Sequence, residues 1–489
     1  MSSPQPPSKI KCTTMKSARH KKVSFMHKYW KQLVLILVLF GSVLLTAFLS
    51  KDIVHLLSQA APIPANIVVD VASSKGKLEH PWAALSQGGE SESNGSLVSL
   101  SPVTSQIKAL SPKYIRLDHV FDRPYENRVR EILAAGAVPF ISLSYFPADV
   151  ANRDVGTVNN WSAWERHVRD LVENVSGRDH LNVSGVYYEV WNEPDGPGFG
   201  AFDIGRGKDY FELYEHTLAG VNQAINVNDF KVGGPALADL RRCNNGLLFV
   251  CQTFWLDDFF RLVASRHARL DFISWHRYSP RLSDYNEDVN FITALYTKHA
   301  TLPPAEKIIT EWGSTPERNP VHNSVLDAAH LVAAARTFVG FVDLATKFEV
   351  RDGPESGRGG WGILYYNGQP KPSYHALRLL NMLRSERVLL SGEGTNVTGI
   401  ASRDSSGATV ILINYDQRNS HIETVPVSII NLPPGRYRLT KHVLNSSSPQ
   451  GKEKIDTFAS FKGTYTTSEI MLPNSVVVYD LQLVGLFEG

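Results

Sequence analysis

An α/β fold is predicted for this chain: a (β/α)8 TIM barrel, a small C-terminal antiparallel β-sandwich after it, and an N-terminal transmembrane helix before it. Three observations in the 489-residue sequence predict it. Short β-rich runs alternate with amphipathic stretches from Ala65 to about Arg384; helical periodicity stops after Arg384; and Leu33 to Leu49 is an uncharged, mostly apolar run of 17 residues. A chain of this length accommodates one large domain of roughly 250–350 residues beside a small one.

The N-terminus is read first. Residues 1–31 hold eight basic side chains (Lys9, Lys11, Lys16, Arg19, Lys21, Lys22, Lys28, Lys31) and no acidic one, so the net charge of +2 becomes −6 for residues 32–489 once that +8 is removed. A mildly acidic body gives no electrostatic reason for nucleic-acid binding. A basic flank before an apolar run keeps that end in the cytoplasm, which predicts a tail over 1–31, a signal-anchor helix over 32–50 and a linker over 51–64, with the rest translocated. The expected location is the cell membrane, single-pass, with the body of the chain outside the cytoplasm. Cleavage after Ser58-Gln59-Ala60, a small-x-small site, would instead release a secreted protein.

The barrel is assigned to residues 65–384. Its expected strands are Asn66–Val71, Tyr114–Leu117, Val138–Leu143, Val186–Trp191, Phe230–Gly234, Asp271–Trp275, Lys307–Thr310 and an eighth between Phe338 and Tyr366. Between them, apolar residues recur three or four apart in Glu126–Ala135, Trp161–Val175, Lys208–Ile225, Phe254–His267 and Asn323–Phe341, as amphipathic helices require. An open doubly wound sheet shares this alternation, but the chain has no Gly-x-Gly-x-x-Gly turn after its first strand. Residues 385–489 form the sandwich, with alternating runs Ala408–Asn414, Val425–Ile430, Tyr437–Val443 and Ser475–Leu483. Ser86–Ser101 and Arg351–Gly360, of low complexity, fall after the first and eighth strands, the barrel face that carries specificity.

Cys243 and Cys251 lie in the translocated part and can close a small disulfide loop, or remain two buried thiols. No histidine pair lies near them at ligand spacing, so no metal site is expected. Six Asn-x-Ser/Thr sequons (Asn94, Asn160, Asn174, Asn182, Asn396, Asn445) are acceptors only in a glycosylating host.

Chemistry concentrates at two strand ends. Tyr187-Tyr188-Glu189-Val190-Trp191-Asn192-Glu193-Pro194 is an apolar strand that ends in a carboxylic acid, and Ile308-Ile309-Thr310-Glu311-Trp312-Gly313 is another. Strand alternation puts Glu189, Trp191 and Glu193 on one face and Asn192 on the other, with twist at the strand end bringing Asn192 round. About three βα units separate the two acids, which places them across the mouth from each other. Opposed carboxyls suit glycosidic bond cleavage: a glutamate desolvated by Trp191 donates a proton, and the spacing decides whether the anomeric centre is retained or inverted. Arg116, a charge within an apolar strand, can pair with Glu189 or hold Glu311 ionised. His276 and Tyr278 end the sixth strand on one face, where Tyr278 can bond Glu311 and His276 can touch Glu193 or substrate. Trp191, Trp275, Trp312 and Trp361 are candidates for sugar-stacking walls, Trp312 and Trp361 foremost, although most large aromatics are core.

Five ordered segments carry a family resemblance: Val186–Pro194; Tyr210–Tyr214 with Lys231–Ala236; Asp271–Tyr278; Thr310–Trp312; and Gly368–Ala376. From Ile115 to Leu380 the chain resembles glycoside hydrolase family 39. The resemblance implies a retaining enzyme with Glu193 as acid/base, Glu311 as nucleophile and Asn192 at the sugar 2-hydroxyl. It implies no metal and no organic cofactor, and an oligo- or polysaccharide as substrate. Two departures bear on which sugar is held: Asp118, followed by His119, replaces a histidine usual after the strand-two arginine, and Val342 or a neighbour replaces a strand-eight tryptophan. A silent glycan-binding scaffold and a transglycosylase using the same pair remain alternatives.

Overall fold

The computed structural model describes residues 62–244, 253–355, 359–460 and 463–486. Eight parallel strands close a barrel: β2 (Ala84–Gln87), β3 (Tyr114–Leu117), β4 (Val138–Leu143), β5 (Val186–Val190), β6 (Phe230–Leu237), β9 (Phe272–Tyr278), β10 (Glu306–Gly313) and β11 (Leu344–Phe348). A helix follows each strand: α1 (Thr104–Leu110), α2 (Glu126–Ala134), α3 (Trp161–Ser176), α4 (Tyr210–Gln223), α5 (Trp255–Arg266), α6 (Ser283–Lys298), α7 (Val325–Phe338) and α8 (Pro372–Leu380). A ribbon of β7 (Cys243–Asn244) and β8 (Thr253–Phe254) precedes α5.

Local sequence explains these elements. In α3 the Asn160 side chain accepts from the Ala163 backbone N–H at 3.1 Å, which caps the first turn. Trp164, Val168, Leu171 and Val175 then recur three or four apart and are buried against the barrel. The barrel strands are buried on both faces, as parallel strands under a ring of helices must be. Their inward side chains form a dry plug from Ala84, Phe140, Tyr187, Phe272, Ile308 and Leu344, with Tyr114 against it.

Close packing restricts one position sharply. A Cβ on Gly233 in β6 would stand 2.1 Å from the Phe272 carbonyl oxygen of neighbouring β9. Backbone cannot yield as a flexible side chain can, so Gly233→Ala is expected to destabilise the fold by about 1–3 kcal/mol. Denaturant unfolding with an unchanged midpoint would refute this.

One sequence assignment is corrected. The strand expected over Asn66–Val71 exists as β1 (Ile67–Lys77), but it lies in the second sheet, and β2 opens the barrel instead. The second sheet has nine strands, adding β12 (Glu386–Ser391), β13 (Val397–Asp404), β14 (Gly407–Asn414), β15 (Glu423–Ile430), β16 (Gly435–Asn445), β17 (Ser448–Ser460), β18 (Tyr465–Met471) and β19 (Ser475–Leu486). β1 sits between β12 and β15, antiparallel to the first and parallel to the second, so the sheet is mixed rather than wholly antiparallel. Val427 and Ile429 near one end of the strand order share a core with Tyr437 and Leu439 near the other, so the sheet folds over itself as a sandwich. Ile400, Ile411, Ile413 and Tyr415 belong instead to the barrel's core, and the Arg336 Nε of α7 donates to the Gly399 carbonyl at 2.8 Å.

The expected membrane-spanning run Leu33–Leu49 lies outside the described residues. Among these residues no helix is long and apolar enough to cross a membrane.

Candidate active site

One turn of the pleat above the apolar plug, the barrel interior becomes polar. Ser86, Arg116, Ser142, Glu189, Ser274, Thr310 and Thr346 lie two residues further along their strands, and all are fully buried. Arg116 is the long side chain that reaches across this layer. Its Nε donates to Glu189 Oε2 at 2.7 Å, Nη1 to Glu311 Oε1 at 3.0 Å and Nη2 to Asn192 Oδ1 at 2.8 Å. Both expected roles of Arg116 are therefore present together: it pairs with Glu189 and braces Glu311.

Neither mouth glutamate reaches the site by simple alternation. β5 ends at Val190, and Trp191 and Glu193 adopt left-handed backbone with φ of 73° and 46°. Such a conformation costs a bulky residue about 1–2 kcal/mol. The reversal at Trp191 sends Asn192 inward to Arg116 and turns the Trp191 ring outward. That ring packs on Phe146 and Phe202, and its Nε1 donates to the Phe199 carbonyl at 2.7 Å. In β10 the pairing with β9 shifts between Ile309 and Glu311, so that Ile309 stands opposite Trp275 and Glu311 opposite His276. The extra residue is a bulge at Thr310, which re-aims Glu311 into the mouth and Trp312 out of it.

His276 joins the two acids. Its Nδ1 lies 2.8 Å from Glu193 Oε1 and 3.6 Å from Glu311 Oε2. Burial alone would lower the imidazole's pKa, but the Glu311 and Glu193 carboxylates outweigh it and raise it above the usual histidine range. The Tyr278 hydroxyl donates to Glu311 Oε2 at 2.8 Å. Burial, the Glu311 charge and this hydrogen bond push the phenol well up, so it stays protonated and donating. Burial raises Glu311 above the ordinary glutamate range, with Glu193 adding to it; His276, Arg116 and the Tyr278 hydroxyl act the other way. The Glu193 side chain is 18% exposed and that of Glu311 10%, so Glu193 is the more open of the two. One carboxylate oxygen of each lies within 4.8 Å of the other and of a His276 nitrogen. A cation bound by these three groups would face the Arg116 guanidinium, which already holds Glu311.

The remaining candidates divide. Asp118 is buried at the end of β3, with Oδ1 unpartnered. His119, beside it, pairs with Asp122 at 2.8 Å and packs on Tyr145. Trp361, half-buried, packs edge-on to Phe348, and Phe348 lies edge-on to Tyr278, while the Arg318 guanidinium lies over the Trp361 ring, 5.3 Å from its centroid. Trp312 is corrected: the bulge buries it completely, edge-on to Phe338 of α7, behind the barrel wall. Trp275 is likewise core, its Nε1 donating to Asp288 at 3.1 Å. Val342 precedes β11 and is not at the mouth; Phe348 ends that strand. Cys243 is disulfide-bonded, and Cys251 lies outside the described residues.

Two contributors escaped the sequence reading. The Tyr145 hydroxyl accepts from Asn192 Nδ2 at 3.1 Å; its place two residues past the end of β4 was the available signal. Glu349, directly after β11, accepts from Gln87 Nε2 at 2.9 Å and from the Gly88 N–H at 3.2 Å. Burial, then neighbouring Glu90, hold its carboxyl well above the usual range. Gly88 is needed for this approach, since a Cβ there would meet the Phe348 ring at 2.6 Å.

Comparisons with known proteins identify the family and agree with the fold. The family described as Glycosyl hydrolases family 39 matches residues 104–452. A beta-xylosidase of Caldicellulosiruptor saccharolyticus is 25% identical over 357 residues, 66% of this chain and 67% of that protein. Among solved structures, a monomeric beta-xylosidase from Caulobacter crescentus CB15 superposes with a TM-score of 0.68 at 21% identity, over 86% of this chain and 100% of the other. A family 39 enzyme from Xanthomonas axonopodis pv. citri gives 0.70 at 18% identity, over 87% and 99%. These two likenesses are of fold.

Proposed function

The chain belongs to glycosyl hydrolase family 39, and from that membership we propose a retaining glycosidase that cleaves O-glycosidic bonds of cell-surface or extracellular glycans, β-xylosides foremost. The reading of retention rests on one observation, the approach of the Glu193 and Glu311 carboxylates to within 4.8 Å. Retaining pairs stand about 5–5.5 Å apart, whereas inverting pairs leave roughly 6.5–9.5 Å for a water between them.

The roles follow from the surroundings. Glu311, enclosed and held by a guanidinium and a phenol, is the nucleophile. Its oxygen forms a bond to the anomeric carbon as the bond from that carbon to the leaving oxygen breaks, and Glu193 gives the leaving oxygen its proton. Water then attacks the same carbon, surrenders a proton to Glu193 and frees Glu311. Glu193 suits the second step because it is the more open carboxyl. Asn192, held between Arg116 and Tyr145, is placed to bind the sugar 2-hydroxyl. The beta-xylosidase named among the relatives supports the choice of sugar. The basic tail and the Leu33–Leu49 run support a membrane-tethered body outside the cytoplasm.

A 2-fluoro aryl xyloside tests this reading, because the fluorine slows the second step and traps the intermediate. Mass spectrometry of the digested protein should place the sugar on Glu311. A label on another residue, or a product of inverted configuration, would refute it.

A further inference from the structure

Tyr278, which donates to Glu311, is the last residue of β9, and from Ser279 to Arg281 every backbone donor and acceptor of the loop it opens is engaged. The Ser279 N–H donates to the Gly313 carbonyl at 3.0 Å, its hydroxyl donates to Asp284 Oδ2 of α6 at 2.5 Å, and its carbonyl accepts from His330 Nε2 of α7 at 2.8 Å. Gly313 lies two residues past Glu311, and its carbonyl also accepts from the Tyr285 hydroxyl at 3.2 Å. The segments that leave Tyr278 and Glu311 are thereby fastened to each other.

Pro280 has no N–H, so the backbone there can be held through its carbonyl alone. That carbonyl accepts twice, and both donors come from the sandwich: the Tyr415 hydroxyl at 2.7 Å and Gln417 Nε2 at 2.9 Å. Tyr415 is buried, and its ring stands edge-on to that of His330, the residue that holds Ser279, with 5.5 Å between centroids. The segment between β14 and β15 that presents the two donors is itself rigidly framed. The Asp416 carboxylate accepts from the N–H groups of Arg418, Ser420 and His421 at 2.9, 2.7 and 2.8 Å. The Asn474 side chain bonds both the N–H and the carbonyl of Asp416 at 3.0 Å.

We propose that Tyr415 and Gln417 are positioning residues of the active site: through Pro280 and Ser279, the sandwich fixes the Tyr278 hydroxyl against Glu311. A catalytic group must be held to within about 0.5 Å, and a tyrosine at the mouth of a loop inherits the loop's freedom unless its neighbours remove it. The Tyr278 ring has little slack of its own, since a Cβ on Gly313 would stand 3.2 Å from its Cδ1. The inference rests on the glycosidase reading and extends the site beyond the barrel.

The test uses the full chain and the pH dependence of kcat and KM for an aryl β-D-xyloside in wild type, Tyr278→Phe, Tyr415→Phe/Gln417→Met and the triple variant. The paired variant should lose about tenfold or more in kcat/KM, since displacement by about 1 Å costs up to about 100-fold. The loss should fall on kcat with KM held within about twofold, as for an interaction made in the transition state. Its acid limb should move to higher pH, because the Tyr278 hydrogen bond is one of the contacts that lower the pKa of Glu311, and weakening it lets that pKa rise. The triple variant should be within about twofold of Tyr278→Phe, since residues that act through one hydroxyl do not add once it is gone. An unmoved acid limb in a folded paired variant, or losses that multiply in the triple variant, would overturn the proposal. Should the paired variant fail to fold, Tyr415→Phe alone, which removes one oxygen and leaves the ring, carries the test: an unaltered kcat and acid limb overturn it equally. A wild type that cleaves no glycoside and takes no label on Glu311 would bring down the glycosidase reading instead.

Discussion

Glu193→Ala is expected to lower kcat/KM on glycosides with poorly acidic leaving groups by about 10²–10⁴-fold, the usual contribution of a general acid. On glycosides of acidic phenols the first step should be nearly normal, since such a group departs without a proton. The second step then becomes limiting, because no carboxylate remains to activate water. Azide, which needs no base, should restore turnover and yield a glycosyl azide of retained configuration. The geometry supports this result specifically for position 193: its carboxyl is the more exposed of the two, and among the described residues its side-chain partner is the His276 Nδ1 at 2.8 Å. A loss of equal size at every leaving-group pKa, untouched by azide, would transfer the acid role elsewhere.

Arg116→Met is expected to act on stability and on pH dependence together. Glu189 is wholly buried, its Oε2 is held by Arg116, and its Oε1 is already unpartnered. Removing the guanidinium strands that charge, at about 3–5 kcal/mol. Arg116 is also one of the two positive groups that lower the pKa of Glu311, against the burial that raises it. Without it that pKa rises further. Glu311 attacks only when ionised, so the acid limb of kcat/KM should move to higher pH. Pairing Arg116→Met with Glu189→Met removes the stranded charge, so it should recover stability and leave the acid limb displaced. Recovery of both would make Arg116 purely structural, and an unmoved acid limb in the single variant would exclude its action on Glu311.

Much of this site was legible in the chain because an apolar strand that ends in glutamate is chemically conspicuous, and both such endings converge in the mouth. What alternation could not supply was direction. The left-handed turn at Trp191 and the bulge at Thr310 each shift the pleat by one residue, and for that reason Trp312 was read as a wall when it is core. The first barrel strand was misplaced for a related reason. Ile67, Val69 and Val71 alternate with less buried residues and look like a strand, whereas the true β2, Ala-Leu-Ser-Gln, is four residues long, buried throughout and free of β-branched side chains. That alternation was itself a clue, since it belongs to a sheet with one face in the core, not to a barrel strand covered on both faces. Tyr415 left no mark of its role: an aromatic at the end of an alternating sandwich strand reads as core until tertiary structure sets its hydroxyl on a barrel loop.

The placement of β1 also bears on how the chain acquires its shape. Val68 and Ser391 are neighbours in the sheet yet lie 323 residues apart, so the interval between them contains the entire barrel. A polypeptide emerging N-terminus first presents β1 long before either of its neighbours, β12 and β15, has been made. The sandwich is therefore not a detachable C-terminal module. Its pairing joins segments from both ends of the barrel and cannot begin before β12 and β15 have been made, the kind of long-range contact that forms slowly. Removal of residues 385–489 would leave β1 with both edges bare, a template for pairing with other chains, so truncation should yield aggregation before it yields an independent barrel.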